Sequence, residues 1–192
     1  MDTLKRTNII AAFAAIALVA LPSMGQSARV ADVTFEPRIE TESAGLDLVG
    51  AGLLRYLGIF KVYAGAFYLD ETANRDEALD DHAKRLEVQY FRSFKGEDFG
   101  PATIDLMAKN VDAATMERLG DKIALHNSLY PDVKPGDRAT LTYLPGVGTE
   151  LTINGEVRGI IPGAEFASAL FSIWIGEEPI DNNFRQQLMG LK

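Results

Sequence analysis

The chain has 192 residues, 47% of them hydrophobic and 24% charged, with a net charge of −8 and no cysteine. That is apolar material enough for one domain with a sizeable core. The lack of cysteine excludes disulfides, thiolate metal sites, cysteine nucleophiles and the lipid-attachment residue of a bacterial lipoprotein, and the acidic balance argues against nucleic acid and anionic membrane surfaces.

Lys5 and Arg6 precede an uninterrupted apolar run of 13 residues, Ile9 to Leu21, and Pro22, Ser23, Gly25, Ser27 and Ala28 follow. A charged start, an apolar stretch short for a bilayer span and a small-residue zone read as a secretory signal peptide rather than an uncleaved anchor. Cleavage fits after Gly25, Ser27 or Ala28. With the last, residues 1–28 are the signal peptide and 29–192 the mature domain. The removed Asp2, Lys5 and Arg6 sum to +1, so the mature charge is −9. The expectation is a periplasmic or secreted protein, with no stable membrane insertion after cleavage.

Val33 and Phe35, two apart, predict a strand within Val30 to Ile39. Leu46 to Leu69, LDLVGAGLLRYLGIFKVYAGAFYL, is almost wholly apolar, with Arg55 near its middle. Its glycines and that central charge argue against a membrane helix, and two buried strands turned near Tyr56–Gly58 fit instead. A short helix is expected around Glu77–Leu79. Arg85 to Phe94 alternates, with Leu86, Val88, Tyr90 and Arg92 on one face, as a strand with one face partly wet.

The period then changes. Phe99, Thr103, Leu106, Met107, Asn110 and Val111 recur at helical steps, with Pro101 suited to a first turn. A second helix is expected from Asp112, its N-cap, to about Leu129. Strands follow at Ala139–Leu144, Glu150–Ile153 and Glu156–Ile161, the last two joined by Asn154-Gly155, a strong two-residue hairpin signal. After Pro162-Gly163 a helix carries Phe166, Leu170, Ile173 and Trp174 on one stripe, with Gly176 just past its end. Asp181 to Leu188 reads as a last short helix. Strands, helices, strands and helices in this order predict an α+β fold with a mainly antiparallel sheet.

Generic catalytic signatures are missing: no glycine-rich phosphate loop, no GxSxG, no HExxH. Neither a cofactor nor a metal is implied. Asp80, Asp81 and His82 offer too few convergent ligands, and His126, late in a helix, reads as solvated or favoured by the helix dipole. Lys61 reads as a strand-edge lysine reaching water. Most aromatics read as core. Arg55 weighs differently, because a guanidinium in an apolar run needs a partner, and it is shaped to hold a carboxylate, phenolate or enolate through two parallel hydrogen bonds.

Taken together, GAGLLRYLGIFKVYAGAFYL (Gly50 to Leu69), the GD-x-x-x-L-x-Y-x-P-G segment (Gly136 to Gly146), the Asn154-Gly155 hairpin and GAEFASALFSIWIGEEPID (Gly163 to Asp181) resemble the bacterial chalcone isomerase-like proteins. The resemblance implies an open-faced β-sandwich: a large antiparallel sheet with helices packed on one face, short strands on the other, and a ligand cleft between sheet and helices. Plant chalcone isomerases cyclise chalcones there, an arginine stabilising developing negative charge with help from a threonine and a tyrosine. Related plant members without that activity bind fatty acids through an arginine and a tyrosine.

Carried over residue by residue, Arg55 matches the family's arginine and Asn110 a substrate-lining asparagine. Tyr63 stands where the threonine belongs, and Thr103 where the tyrosine belongs. Asp181 falls at a pocket-lining serine or threonine position. An exchange of roles between Tyr63 and Thr103 across the cleft would keep a phenol and a hydroxyl near Arg55. The resemblance therefore implies, first, a non-catalytic binder of a small apolar or amphipathic acid, fatty-acid-like, with Arg55, Tyr63, Thr103 and Asn110 as ligand-binding residues. The alternatives are an envelope interaction module, its cleft closed by Arg55 pairing with Glu165 or Asp181, and an isomerase with Arg55 as its catalytic residue.

Overall fold

The computed structural model describes residues 27–192. The predicted signal peptide lies outside the described residues apart from its last two.

One antiparallel sheet organises the chain. Its strands are β3 (Arg38–Glu40), β4 (Gly45–Tyr56), β5 (Phe60–Asp70), β6 (Lys84–Tyr90), β7 (Arg138–Leu144), β8 (Gly148–Ile153) and β9 (Glu156–Ile161), each paired with the next in sequence. Before it, β1 (Ala28–Val30) and β2 (Val33–Phe35) form a separate two-stranded sheet. The segment expected as one strand over Val30–Ile39 is thus broken into short pieces. Between β6 and β7 come α1 (Gly96–Met107), α2 (Ala113–Arg118) and α3 (Gly120–Ser128), and after β9 come α4 (Ala164–Ile175) and α5 (Asn182–Leu188).

The continuous apolar reading of β5 has a direct cause, because the two faces of the sheet serve two cores. Tyr63, Phe67 and Leu69 join the large core with the helices, packing with residues such as Met107, Phe166, Leu170 and Phe184. Ala64, Ala66 and Tyr68, on the alternate face, pack with Val33 and Phe35 of the small β1–β2 sheet. A strand covered on both sides loses its polar alternation. On β6 the buried Glu87 is held by Arg138 and, at 3.4 Å, by Arg85. Around Glu87 the face stays partly wet, as expected, with Arg85, Gln89 and Phe91 half-buried and Ser93 exposed.

Two glycines of β4 set the position of α5. A Cβ on Gly50 would lie 2.2 Å from the backbone oxygen of Gln187, and one on Gly52 2.5 Å from the Gln187 Cβ. Their absence lets α5 lie across β4, where Gln187 Oε1 accepts the Leu53 amide at 3.1 Å. Asp181 caps α5 by accepting from Phe184 N at 2.7 Å, and Asp112 caps α2 by accepting from Thr115 N at 2.7 Å.

Helix boundaries depart from the expectation in two places. α1 begins at Gly96, so Pro101 sits inside it rather than in its first turn. The early start is supported by carboxylates: Asp98 accepts from Lys95 N at 3.3 Å and Asp132 from Gly96 N at 3.0 Å. The stretch expected as one helix from Asp112 to Leu129 is divided at Leu119, next to Gly120, whose helix propensity is poor. The segment expected as a short helix at Glu77–Leu79 is a single 3-10 turn, Arg75–Glu77.

Candidate functional site

Between the distal ends of β4, β5 and β6 and the helices α1, α3 and α4 lies an apolar cavity of about 190 Å³. Leu54, Val62, Tyr63, Val88 and Tyr90 form its sheet wall; Asp98, Phe99, Ala102, Thr103, Leu106, His126, Ile173 and Trp174 face them from the helices, with Phe94, Tyr130 and Ile180 completing it. Val62 and Tyr63 are consecutive, and a regular strand would send them to opposite faces. The register slips at this point, Leu54 pairing with Tyr63 but Arg55 with Lys61. Val62 is the extra residue of a bulge, and such bulges re-aim side chains beside sites.

The cavity opens outward. Leu54, Val62, Phe94 and Ile180 also line an adjoining open groove of about 380 Å³, together with Arg55, Tyr56, Arg92 and Asp181. Arg55 is exposed there, not enclosed in the apolar run, and among the described residues its side chain makes one long hydrogen bond, 3.5 Å to the Ile59 carbonyl. Arg92 Nε donates to the Lys61 carbonyl at 3.2 Å, and its guanidinium lies 4.9 Å from the Phe60 ring centre. Neither arginine has a carboxylate partner among the described residues. Others do: Arg38 holds Glu71 at 2.5 Å and Arg118 holds Glu165 at 2.6 Å.

Apart from Asp98 at the exposed rim, the polar groups that line the cavity are uncharged. Tyr63 accepts a hydrogen bond from Trp174 Nε1 at 2.9 Å, which leaves its own O–H to donate. Burial pushes the phenols of Tyr63, Tyr90 and Tyr130 well above the ordinary tyrosine range. His126, read from sequence as solvated or dipole-favoured, is fully buried, because its helix turns this side chain onto Tyr130 and Phe166. Its Nδ1 meets Asn127 Oδ1 at 3.2 Å, and its Nε2 is buried without a partner among the described residues. Burial pushes its pKa down to about 4 despite the Asn127 contact.

A larger hollow of about 760 Å³ shares Phe94 and Asp98 with the cavity and is bordered also by Lys95, Asp132, Lys134, Asp137 and Arg158. It is open, and Lys95 and Asp132 already satisfy each other at 2.7 Å. The smaller cavity is the better candidate, since apolar enclosure with a few polar groups is what buries a small molecule.

A profile described as chalcone isomerase-like matches residues 27–190. The chain belongs to the chalcone isomerase-like family. A sequence comparison with curated proteins finds no match. Among solved structures, a fatty-acid binding protein of Arabidopsis thaliana superposes with a TM-score of 0.66 at 20% identity, covering 85% of this chain and 96% of that one. At that identity the likeness speaks for the chalcone isomerase-like fold.

The residues carried over from the family fall in different places. Tyr63 on β5 and Thr103 on α1 line the same cavity from opposite walls. Arg55 lies at its mouth. Asn110 lies past the end of α1, outside the cavity lining. Its Nδ2 donates to the carbonyls of Glu178, at 2.9 Å, and Leu106, and its Oδ1 accepts from Glu178 N at 3.0 Å, so its amide ties the α4–α5 connection to α1. Asp181 borders the groove while capping α5. The Asp80–His82 cluster is engaged locally, Asp81 accepting from the Tyr143 hydroxyl and Asp80 O from Lys84.

Sequence reasoning overlooked Arg92, Trp174 and Tyr130 as site residues. For Arg92 a signal existed, since the alternation of β6 puts it on the same face as the cavity residues Val88 and Tyr90. Tyr130 follows the helix period only past the end of α3, where no pattern singles it out.

Proposed function

We propose that this protein is a non-catalytic binder of a small amphipathic acid of fatty-acid type. The observation that carries the reading is an apolar cavity opening onto a groove with two guanidiniums, Arg55 and Arg92, that no carboxylate of the described chain engages. The tail lies against Leu54, Val88, Phe99 and Leu106, and the carboxylate meets the arginines through charge-assisted hydrogen bonds. The Tyr63 O–H supplies a neutral donor between the two. Apolar burial plus anion capture suffices for affinity without chemistry. Export through an N-terminal signal peptide to the periplasm or medium is part of the proposal, and an extracytoplasmic carrier of such acids is its sense.

Trp174, the only tryptophan, lines the cavity and reports on its occupancy. Titration with a fatty acid should change its fluorescence saturably, and native mass spectrometry of protein purified from cells should show a bound acid. Arg55→Ala and Arg92→Ala should each weaken binding by about tenfold, the loss expected for one hydrogen bond to a charged group. If nothing co-purifies, and Arg55→Ala takes up fatty acids as well as the unaltered protein, the reading fails.

The closed-cleft interaction module is less well supported, because Glu165 is held by Arg118 and Asp181 is occupied as a helix cap. An isomerase role for Arg55 is also less well supported. Electrostatic stabilisation of a developing anion is strong in a water-excluded site, and Arg55 lies in an open groove.

A further inference from the structure

The tip of the β4–β5 hairpin is built against its own folding preferences. Leu57 occupies the left-handed region at φ 51°, followed by Gly58 at φ 70°. Tyr56 pairs with Phe60, so three residues turn the chain, and a pair of consecutive positive-φ residues favours Asn-Gly or Asp-Gly, as in the two-residue Asn154-Gly155 turn of this chain at 52° and 81°. A leucine there is strained, and its side chain gains nothing from the core: Leu57 is 71% exposed and Ile59 72%, with Tyr56 and Phe60 also exposed. Arg55 and Lys61 then sit directly opposite each other across the strands, a like-charge pairing that disfavours a sheet. The adjacent Arg92 adds a third cation beside Phe60.

Strain, exposed apolar side chains and facing cations in one place mark a surface that something else completes. Its chemistry is specific. From Leu48 to Leu69 the hairpin carries no acidic residue, while Asp47 and Asp70 sit at its base, on a chain of net charge −8. The acidic average over the whole chain hides a tip of opposite sign, in which bulky apolar side chains project and basic side chains ring them. Asp181 is the acidic residue in the lining of the adjoining groove.

We propose that this tip docks on a phospholipid bilayer containing anionic lipids. Leu57 and Ile59 enter the headgroup boundary, and Arg55, Lys61 and Arg92 meet the phosphates. Docking stands on the tip alone. A second consequence rests on the binding function proposed above: the tip borders the groove at the cavity mouth, so docking places that mouth at the lipid surface, where an amphipathic acid partitions.

The test uses residues 27–192, which hold every element of both cores and correspond to the family match. In flotation with phosphatidylcholine vesicles, with and without phosphatidylglycerol, the protein should float with the anionic vesicles and release as salt rises. Leu57→Asn, which restores the favoured turn residue, should keep or raise the melting temperature while lowering vesicle binding about fivefold, and Lys61→Gln should lower it similarly. Because the chain has no cysteine, Ile59→Cys accepts a single environment-sensitive dye, whose emission should shift blue on anionic vesicles, whereas Val157→Cys on β9 should not respond. No flotation with either vesicle, or equal flotation of Leu57→Asn, overturns the proposal. So does a dimer that Leu57→Asn converts to monomer, since the tip's partner is then a second copy of the chain. Fatty-acid titration in vesicle-free buffer is read separately, so failure of the cavity reading and failure of docking are distinguishable.

Discussion

His126 shows how burial changes a residue's role. Its pKa is pushed down to about 4 from an ordinary value of 6.5, so the unfolded chain binds a proton in a range where the folded one does not. Stability from this group is complete above about pH 6.5, declines as pH falls, and is lost below about 4, a total on the order of 3 kcal/mol. Melting temperature should therefore drop between pH 6.5 and 4, and His126→Leu should flatten that slope in calorimetric scans. The sequence assigns His126 correctly to a late helical position but not to its environment, because helical spacing does not say what packs over a given face. The Tyr63–Trp174 bond is comparable. Tyr63→Phe removes the acceptor of the indole N–H and should cost about 1–3 kcal/mol, measurable by denaturant unfolding.

Elements are governed by close approach and turn chemistry. Gly52→Ala would put a Cβ 2.5 Å from the Gln187 Cβ and push α5 off β4; about 1–3 kcal/mol of destabilisation should follow, with altered Trp174 fluorescence if the displacement reaches the cavity. Asp181→Ala removes the cap of α5 and should cost about 1 kcal/mol in the same unfolding measurement. The glycines of β4 are plain in the sequence as a departure from strand preference. Their cause is not, because Gln187 lies more than a hundred residues further along. The hairpin is the reverse case. Its existence and turn are readable from Tyr56–Gly58, but its exposure is not. The pairing of β5 with β6 starts only at Tyr63, opposite Tyr90, so the distal residues overhang the sheet and Arg55 lies outside the core that its apolar neighbours suggest.

At the scale of the molecule, periodicity and turn residues already specify an α+β chain with an antiparallel sheet, its late strands and its helix caps. These features are local: each depends on residues a few positions apart, and the chain's own period records which side chains share a face. The tertiary structure alone decides what each face meets. It brings Tyr63, Thr103, His126 and Trp174, from four separate elements, around one cavity, directs Asn110 to a loop instead, and leaves Arg55 and Arg92 at the mouth without carboxylate partners among the described residues. Contacts between distant segments are set by packing, by missing Cβ atoms and by where a strand outruns its neighbour, none of which a local pattern of residues can express.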